Sequence, residues 1–368
     1  MTTHALDRRT LARYISAVEN RLPGSDAILR EAYGDPGSAR VIGITGPPGA
    51  GKSTLLDALA AAWADKGEAV AILAIDPSSP YSGGALLGDR IRMDRSAAYA
   101  SIYFRSLSSR GQVGGVSGAT ADIIPVLGHA RFTRVLIETV GAGQADIEVM
   151  NLADCVLVVS VPGLGDQVQA SKAGLMEIGD VYAVNKGDRP AARSTLAEID
   201  RALATRYMGQ SGVNRWANGA TGASTPRLLQ GVEALNTRHG DPSSESSTWR
   251  PPVLETVATT GAGTAALVDA TEAFLQWAHS TLRIERKRHE HVRQQLLRLL
   301  TARLIEPFVT TSGCDSPLDL CARRIAAGHA SPHEMAEQLV APALRELRLA
   351  AGSSADPSSG AVGGMSGI

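Results

Sequence analysis

The chain has 368 residues, of which 44% are hydrophobic and 20% charged. That is the make-up of a folded globular protein and excludes a disordered chain. Lys and Arg total 36 against 37 Asp and Glu, a net charge of −1, so the surface as a whole is not built for nucleic acid or anionic membrane.

The first ten residues are polar and carry no apolar h-region, so no secretory signal is expected. No run approaches the roughly 18 apolar residues of a membrane span, and a cytoplasmic protein is expected. Cys155, Cys314 and Cys321 are too few and too scattered for a disulfide framework or a zinc site. Leu11, Tyr14, Ile15 and Val18 stand at helical spacing, and Pro23-Gly24 interrupts that helical segment. Between residues 40 and 190, short runs rich in β-branched residues alternate with helical stretches. The runs are Val41–Ile44, Val70–Ile75, Val135–Ile137, Val156–Val159 and Val181–Val184. Strands apolar at every position suit a parallel sheet covered on both faces.

The expected fold is therefore α/β: a doubly wound, mostly parallel sheet, preceded by N-terminal helices and followed by a helical C-terminal arm. The boundaries read as a helical segment over 1–38, a nucleotide-binding domain over 39–282, an arm over 283–350 and a disordered tail over 351–368. A polar insertion interrupts the domain at about 208–250, and a strand from Pro252 to Val257 follows it. The stretch 284–293 is locally basic and reads as a solvated helix face. Leu296, Leu297, Leu299 and Leu300 then pack on a partner helix. No aromatic residues interleave with these charges, so neither nucleic acid nor membrane is expected as a partner. His289 and His291 share no helix face and make a poor metal pair.

After the first strand, Gly46-Pro47-Pro48-Gly49-Ala50-Gly51-Lys52-Ser53-Thr54 satisfies G-x-x-x-x-G-K-[ST]. Gly46 and Gly51 let backbone approach phosphate without a Cβ in the way. Successive amides and the N-terminus of the following helix form an anion nest. Lys52 is placed for the β- and γ-phosphates and Ser53 for Mg²⁺.

Asn185-Lys186-Gly187-Asp188 follows a strand and has the N-K-x-D form of guanine recognition. The Asp188 carboxylate can accept from guanine N1–H and the 2-amino group. Adenine offers neither and would leave Asp188 unpaired. Val257-Ala258-Thr259, after the last strand, offers backbone amides for the guanine carbonyl. Asp76 and Glu138 end strands at the carboxyl edge, where such sheets bind ligands. With Asp89 they are the candidate Mg²⁺ carboxylates. Mg²⁺ keeps several waters, so not all three are direct ligands. Gly141 is placed to give an N–H to the γ-phosphate, and Arg90 and Arg92 are candidates for offsetting transition-state charge.

The ordered set resembles the MeaB/ArgK family of P-loop GTPases, of the SIMIBI class. It comprises Gly46–Thr54, Asp76-Pro77-Ser78-Ser79-Pro80, Ser82-Gly83-Gly84, Leu87-Gly88-Asp89-Arg90 with Arg92-Met93, Glu138-Thr139-Val140-Gly141 with Gly143-Gln144, Gly165-Asp166 through Glu177-Ile178, and Asn185–Asp188. The resemblance implies a GTP hydrolase that chaperones an adenosylcobalamin-dependent acyl-CoA mutase, typically methylmalonyl-CoA mutase, and gates cofactor loading. Adenosylcobalamin would enter only through that partner. It also implies a homodimer arm and three switch regions. In the third switch, Gln169 and Lys172 would assist hydrolysis once the partner docks. Val257 stands where a Ser is frequent in the family, which leaves backbone contacts there. Two other activities compete: a metallocentre-maturation GTPase, which calls for a Cys/His cluster, and an ATPase tied to amino-acid transport, which calls for ATP preference and a membrane partner. A nucleotide-dependent interaction module with negligible turnover is the third.

Overall fold

A computed structural model of the chain describes residues 6–76, 95–108, 115–139, 149–163, 176–208, 248–309 and 316–341. Two helices open it, α1 (Arg8–Glu19) and α2 (Ser25–Gly34). The Asp7 carboxylate caps α1 by accepting from the Arg9 and Thr10 amides. Gly24, at φ 91°, turns the chain into α2. The alternating part follows: β1 (Arg40–Thr45), α3 (Lys52–Asp65), β2 (Val70–Asp76), β3 (Ile102–Ser108), α4 (Gly115–His129), β4 (Arg134–Thr139), β5 (Cys155–Ser160), β6 (Val181–Val184), α5 (Ala192–Met208), β7 (Val253–Glu255) and α6 (Thr264–Ser280). The chain continues through α7 (Arg283–Val309), α8 (Pro317–Ala326) and a helical stretch over 332–341.

The seven strands form one sheet in the order β3-β2-β4-β1-β5-β6-β7, and every pairing is parallel. The doubly wound parallel expectation holds. β3 is an addition, since Ile102-Tyr103-Phe104 carries the β-forming residues but Arg105 and two serines dilute the apolar run.

Alternation of side chains divides the core into two layers. Val41, Leu73, Ile137, Val158 and Tyr182 pack with α1 and α4 residues such as Leu11, Ile15 and Ile123. Ile42, Ile72, Leu136, Leu157 and Val181 pack with α3 and α6 residues such as Leu55, Trp63 and Phe274. Each fully buried aliphatic side chain contributes roughly 1.5–3 kcal/mol. The same parity carries past the strand ends. Glu138 shares the face of Leu136, and Asn185 shares that of Val181 and Ala183, so both come out on the α3 side.

The chain divides into two compact units, 1–293 and 294–368. The N-terminal helices lie within the first unit, and so do the first residues of α7. The solvated face expected over 284–293 forms in part: Glu285, Arg286 and His289 are exposed, while Ile284 is buried and two of the basic side chains are tied down. Arg288 makes two bonds to the Asp154 carboxylate, Nε at 2.8 Å and an Nη at 2.6 Å, and a third to the Ala39 carbonyl at 2.9 Å. Lys287 donates to the Ala153 carbonyl, and Arg283 pairs with Asp180 at 3.1 Å. Asp154 and Asp180 immediately precede β5 and β6, and each also accepts a strand amide, from Val41 and Val156. Both carboxylates are buried and paired, as buried charges must be. The start of α7 is therefore fixed to the amino edge of the sheet, opposite the edge where ligands bind. Burial pulls the Lys287 ammonium below the usual lysine value against the pull of Asp180 and Asp154. Burial likewise lifts the Asp180 carboxyl, which Arg283 opposes. Burial also raises the Cys155 thiol well above its ordinary value, so it stays neutral.

Candidate functional site

At the carboxyl edge, β1 sends its chain through α3 to β2 on one side, while its neighbour β5 leads to β6 on the other. Such a switch point opens a crevice over the strand ends, and residues 46–51 arch over it. Gly46 has φ 147°, and a Cβ there would lie 2.1 Å from the Val159 carbonyl oxygen. Gly51 has φ 84°, and its Cβ would lie 2.4 Å from the Asn185 amide nitrogen. Both glycines are thus demanded by protein neighbours as well as by the approach of phosphate.

The loop is closed by the Ala50 amide donating to the Pro47 carbonyl at 3.2 Å. The Ala50 carbonyl accepts from Asn185 Nδ2 at 2.8 Å, so both polar groups of Ala50 are engaged. The amides of Gly49 and Gly51 make no hydrogen bond within the described residues. Gly51 caps α3 without a side-chain hydrogen bond, so the first turn of α3 presents the positive end of the helix to the loop. Lys52 is 5% exposed, and its ammonium donates to the carbonyls of Gly46 at 2.8 Å and Pro47 at 3.2 Å.

Ser53 Oγ donates to Glu138 Oε1 at 2.6 Å. An alcohol and a carboxylate are hard oxygen donors, the set that suits Mg²⁺. Among the described residues, no group of three or more His, Cys, Asp or Glu converges. The backbone of Asp76 ends β2, beyond Ile75, which pairs with Thr139. Pro48 and Gly49 lie at the exposed crest of the loop. Asp89, Arg90, Arg92, Gly141, Gln169 and Lys172 lie outside the described residues.

The base end is tied to the phosphate end. Asn185, 2% exposed, donates to Ala50 and accepts from the Ala258 amide at 3.0 Å. Gly187 donates to the Thr256 carbonyl at 2.9 Å. Asn185 thus braces three loops. Lys186 sits at φ 59° and donates to the Gly49 carbonyl at 2.9 Å. Asp188 is exposed and makes no hydrogen bond or ion pair within the described residues. Of the three amides expected to meet guanine, Val257 donates to Ala262 and Ala258 donates to Asn185. Thr259 keeps its N–H uncommitted among the described residues.

The chain matches the family model described as methylmalonyl Co-A mutase-associated GTPase MeaB over residues 11–312. The chain belongs to this family. It is a GTP hydrolase, as its relatives are named. It is 36% identical to a putative GTPase of Pyrococcus abyssi over 334 residues, covering 91% of this chain and 92% of that one. It is 32% identical to a probable GTPase of Mycobacterium tuberculosis over 341 residues, with 91% of both chains covered. A mouse protein named methylmalonic aciduria type A homolog, mitochondrial, is 28% identical over 299 residues, 81% of this chain and 64% of that one. A crystal structure titled LAO/AO transport system kinase superposes with a TM-score of 0.60 at 22% identity, covering 90% of this chain and 92% of that one. At that identity the likeness speaks for the fold.

Two residues of this MeaB-family GTPase were not singled out by sequence reasoning. Asp57, 4% exposed, accepts from the Arg95 amide at 3.0 Å and the Ser96 amide at 2.8 Å. Arg95 in turn donates to the Thr259 carbonyl at 2.6 Å. A signal existed for Asp57, a lone carboxylate in the apolar run Leu55-Leu56-Asp57-Ala58-Leu59. None existed for Arg95, whose partner is 164 positions away.

Proposed function

We propose that this GTPase works with Mg²⁺ and is a cytoplasmic chaperone for an adenosylcobalamin-dependent acyl-CoA mutase of the methylmalonyl-CoA mutase type. The observation that carries the partner is the family match over residues 11–312. The name of the mouse relative supports it. For the metal, the support is the 2.6 Å contact of Ser53 with Glu138 beside Lys52.

Bound Mg²⁺ would neutralise charge on the β- and γ-phosphates. Ser53 and a carboxylate, Glu138 directly or through water, would hold it, with Asp76 and Asp89 as further candidates. Lys52 exchanges the Gly46 and Pro47 carbonyls for phosphate oxygens, and the amides of the loop and of the first turn of α3 fix the phosphate chain. Asp188 selects guanine by accepting from N1–H and the 2-amino group. Gln169, Lys172 and Arg92 act on the γ-phosphate end when the mutase docks, and Gly141 donates to the γ-phosphate. Catalysis then rests on positioning and charge stabilisation rather than on a general base.

A homodimer through the arm belongs to the same reading. Leu296, Leu300 and Leu304 repeat every four residues along α7 and are 49–55% exposed, a stripe that suits a second helix.

A cofactor-loading assay tests the proposal. Transfer of adenosylcobalamin to the apo-mutase, followed by cobalamin absorbance, should be gated by GTP with the wild-type chain. It should be ungated with Lys52→Ala. Loading indifferent to nucleotide contradicts the chaperone role.

A further inference from the structure

The loop after β7 offers few donors. Val257 donates to Ala262, Ala258 to Asn185, Thr260 and Gly261 to the Val257 carbonyl, and Ala262 to the Thr260 hydroxyl. Thr259 alone in this stretch keeps an uncommitted amide among the described residues, and it is exposed. Its orientation is set from both sides. Asn185 holds the amide of the preceding residue, Ala258, at 3.0 Å. Arg95 holds the carbonyl of Thr259 itself at 2.6 Å.

Arg95 is in turn placed by α3. Both carboxylate oxygens of buried Asp57 are used on the Arg95 and Ser96 amides, and α3 is the helix that carries Lys52 and Ser53 at its start. Gly261, at φ 83°, leaves room for the guanidinium, because a Cβ there would stand 3.0 Å from Arg95 Nη1. The side chain thus lies against the loop at two points.

We propose that Arg95 is a positioning residue for guanine recognition: through the Thr259 carbonyl it fixes the loop amide that donates to the purine 6-oxygen. This rests on the guanine reading of Asp188 and the loop, and deepens it. Asp188 reads N1–H and the 2-amino group, and the Thr259 amide reads the 6-oxygen. Arg95 touches neither the base nor the phosphates.

The two contacts separate with base analogues. 6-Thio-GTP keeps N1–H and the 2-amino group but replaces the oxygen with sulfur, a weaker acceptor. ITP keeps the oxygen and lacks the 2-amino group. Steady-state hydrolysis by the full chain should show the wild type preferring GTP over both. In Arg95→Ala, KM for GTP should rise about tenfold, the scale of one hydrogen bond, with kcat little changed. The preference over 6-thio-GTP should collapse while that over ITP survives. Arg95→Lys, which can still donate to the carbonyl, should restore part of the 6-thio-GTP preference and serves as the test should the alanine variant not fold. Unchanged GTP/6-thio-GTP selectivity in these variants overturns the proposal, as does equal loss of both preferences, which a merely structural role would give. A wild type that does not distinguish 6-thio-GTP also overturns it, while leaving Asp188 standing. A wild type with no preference for GTP over ATP or ITP sinks the guanine reading itself.

Discussion

The Ser53 hydroxyl donates to the Glu138 carboxylate at 2.6 Å, although 85 positions separate them. Two local rules bring them together. Ser53 lies in the first turn of α3, directly after the phosphate-binding loop, and Glu138 has the parity of Leu136, which faces α3. Glu138→Gln keeps the shape and removes the charge that would favour a cation. The Mg²⁺ concentration for half-maximal hydrolysis should then rise at least roughly tenfold. A Mg²⁺ titration of the variant that overlays the wild type would remove Glu138 from the metal site.

Asp188 is exposed and unpaired within the described residues, as a carboxylate waiting for a base should be. Asp188→Asn should weaken GTP binding by about 1.5–3 kcal/mol, the range for a hydrogen bond to a charged group. It should also shift preference toward xanthosine triphosphate, whose 2-oxo group matches the new amide donor. Competition binding with the two nucleotides reads this directly, and an unchanged preference rules out the role.

Stability of the first unit should depend on the amino edge of the sheet. Arg288→Ala leaves the Asp154 carboxylate, 4% exposed, without its guanidinium, with the Val41 amide and the nearby Lys287 ammonium remaining. Breaking a buried pair costs about 3–5 kcal/mol. Because the Arg288 side chain is 44% exposed, water screens part of that, and about 2–3 kcal/mol is expected. Denaturant melts should show this loss while KM for GTP stays unchanged, since the contact lies at the edge opposite the nucleotide.

The phosphate-binding loop, Asp188 and the strand runs announce themselves because their chemistry needs contiguous residues or a period of two. The basic stretch beginning α7 looked like a solvated face because Asp154 lies 134 positions from Arg288. Nothing local distinguishes an arginine facing water from one facing a buried carboxylate. Asn185 carried the motif signal, but its bracing of Ala50 and Ala258 depends on sheet order, which the motif does not encode.

A pH dependence follows from Asp35. Arg131 donates to both its oxygens, at 3.2 and 2.6 Å. That bond holds the carboxyl below its ordinary 3.8. A lowered folded value means a contribution fully present above 3.8 and lost as pH falls through the folded value. Wild type should therefore melt slightly above Asp35→Asn at neutral pH, and the gap should close below 3.8. A gap that widens on acidification contradicts the ion pair.

The coupling of hydrolysis to a mutase is tested most directly by single-turnover GTP hydrolysis, with and without the purified adenosylcobalamin-dependent acyl-CoA mutase of the same organism. Acceleration of at least about tenfold is expected, abolished by Lys52→Ala, since partner-supplied completion of such sites raises rates by larger factors still. Identical rates with and without saturating mutase would contradict the coupling while leaving the GTPase assignment intact.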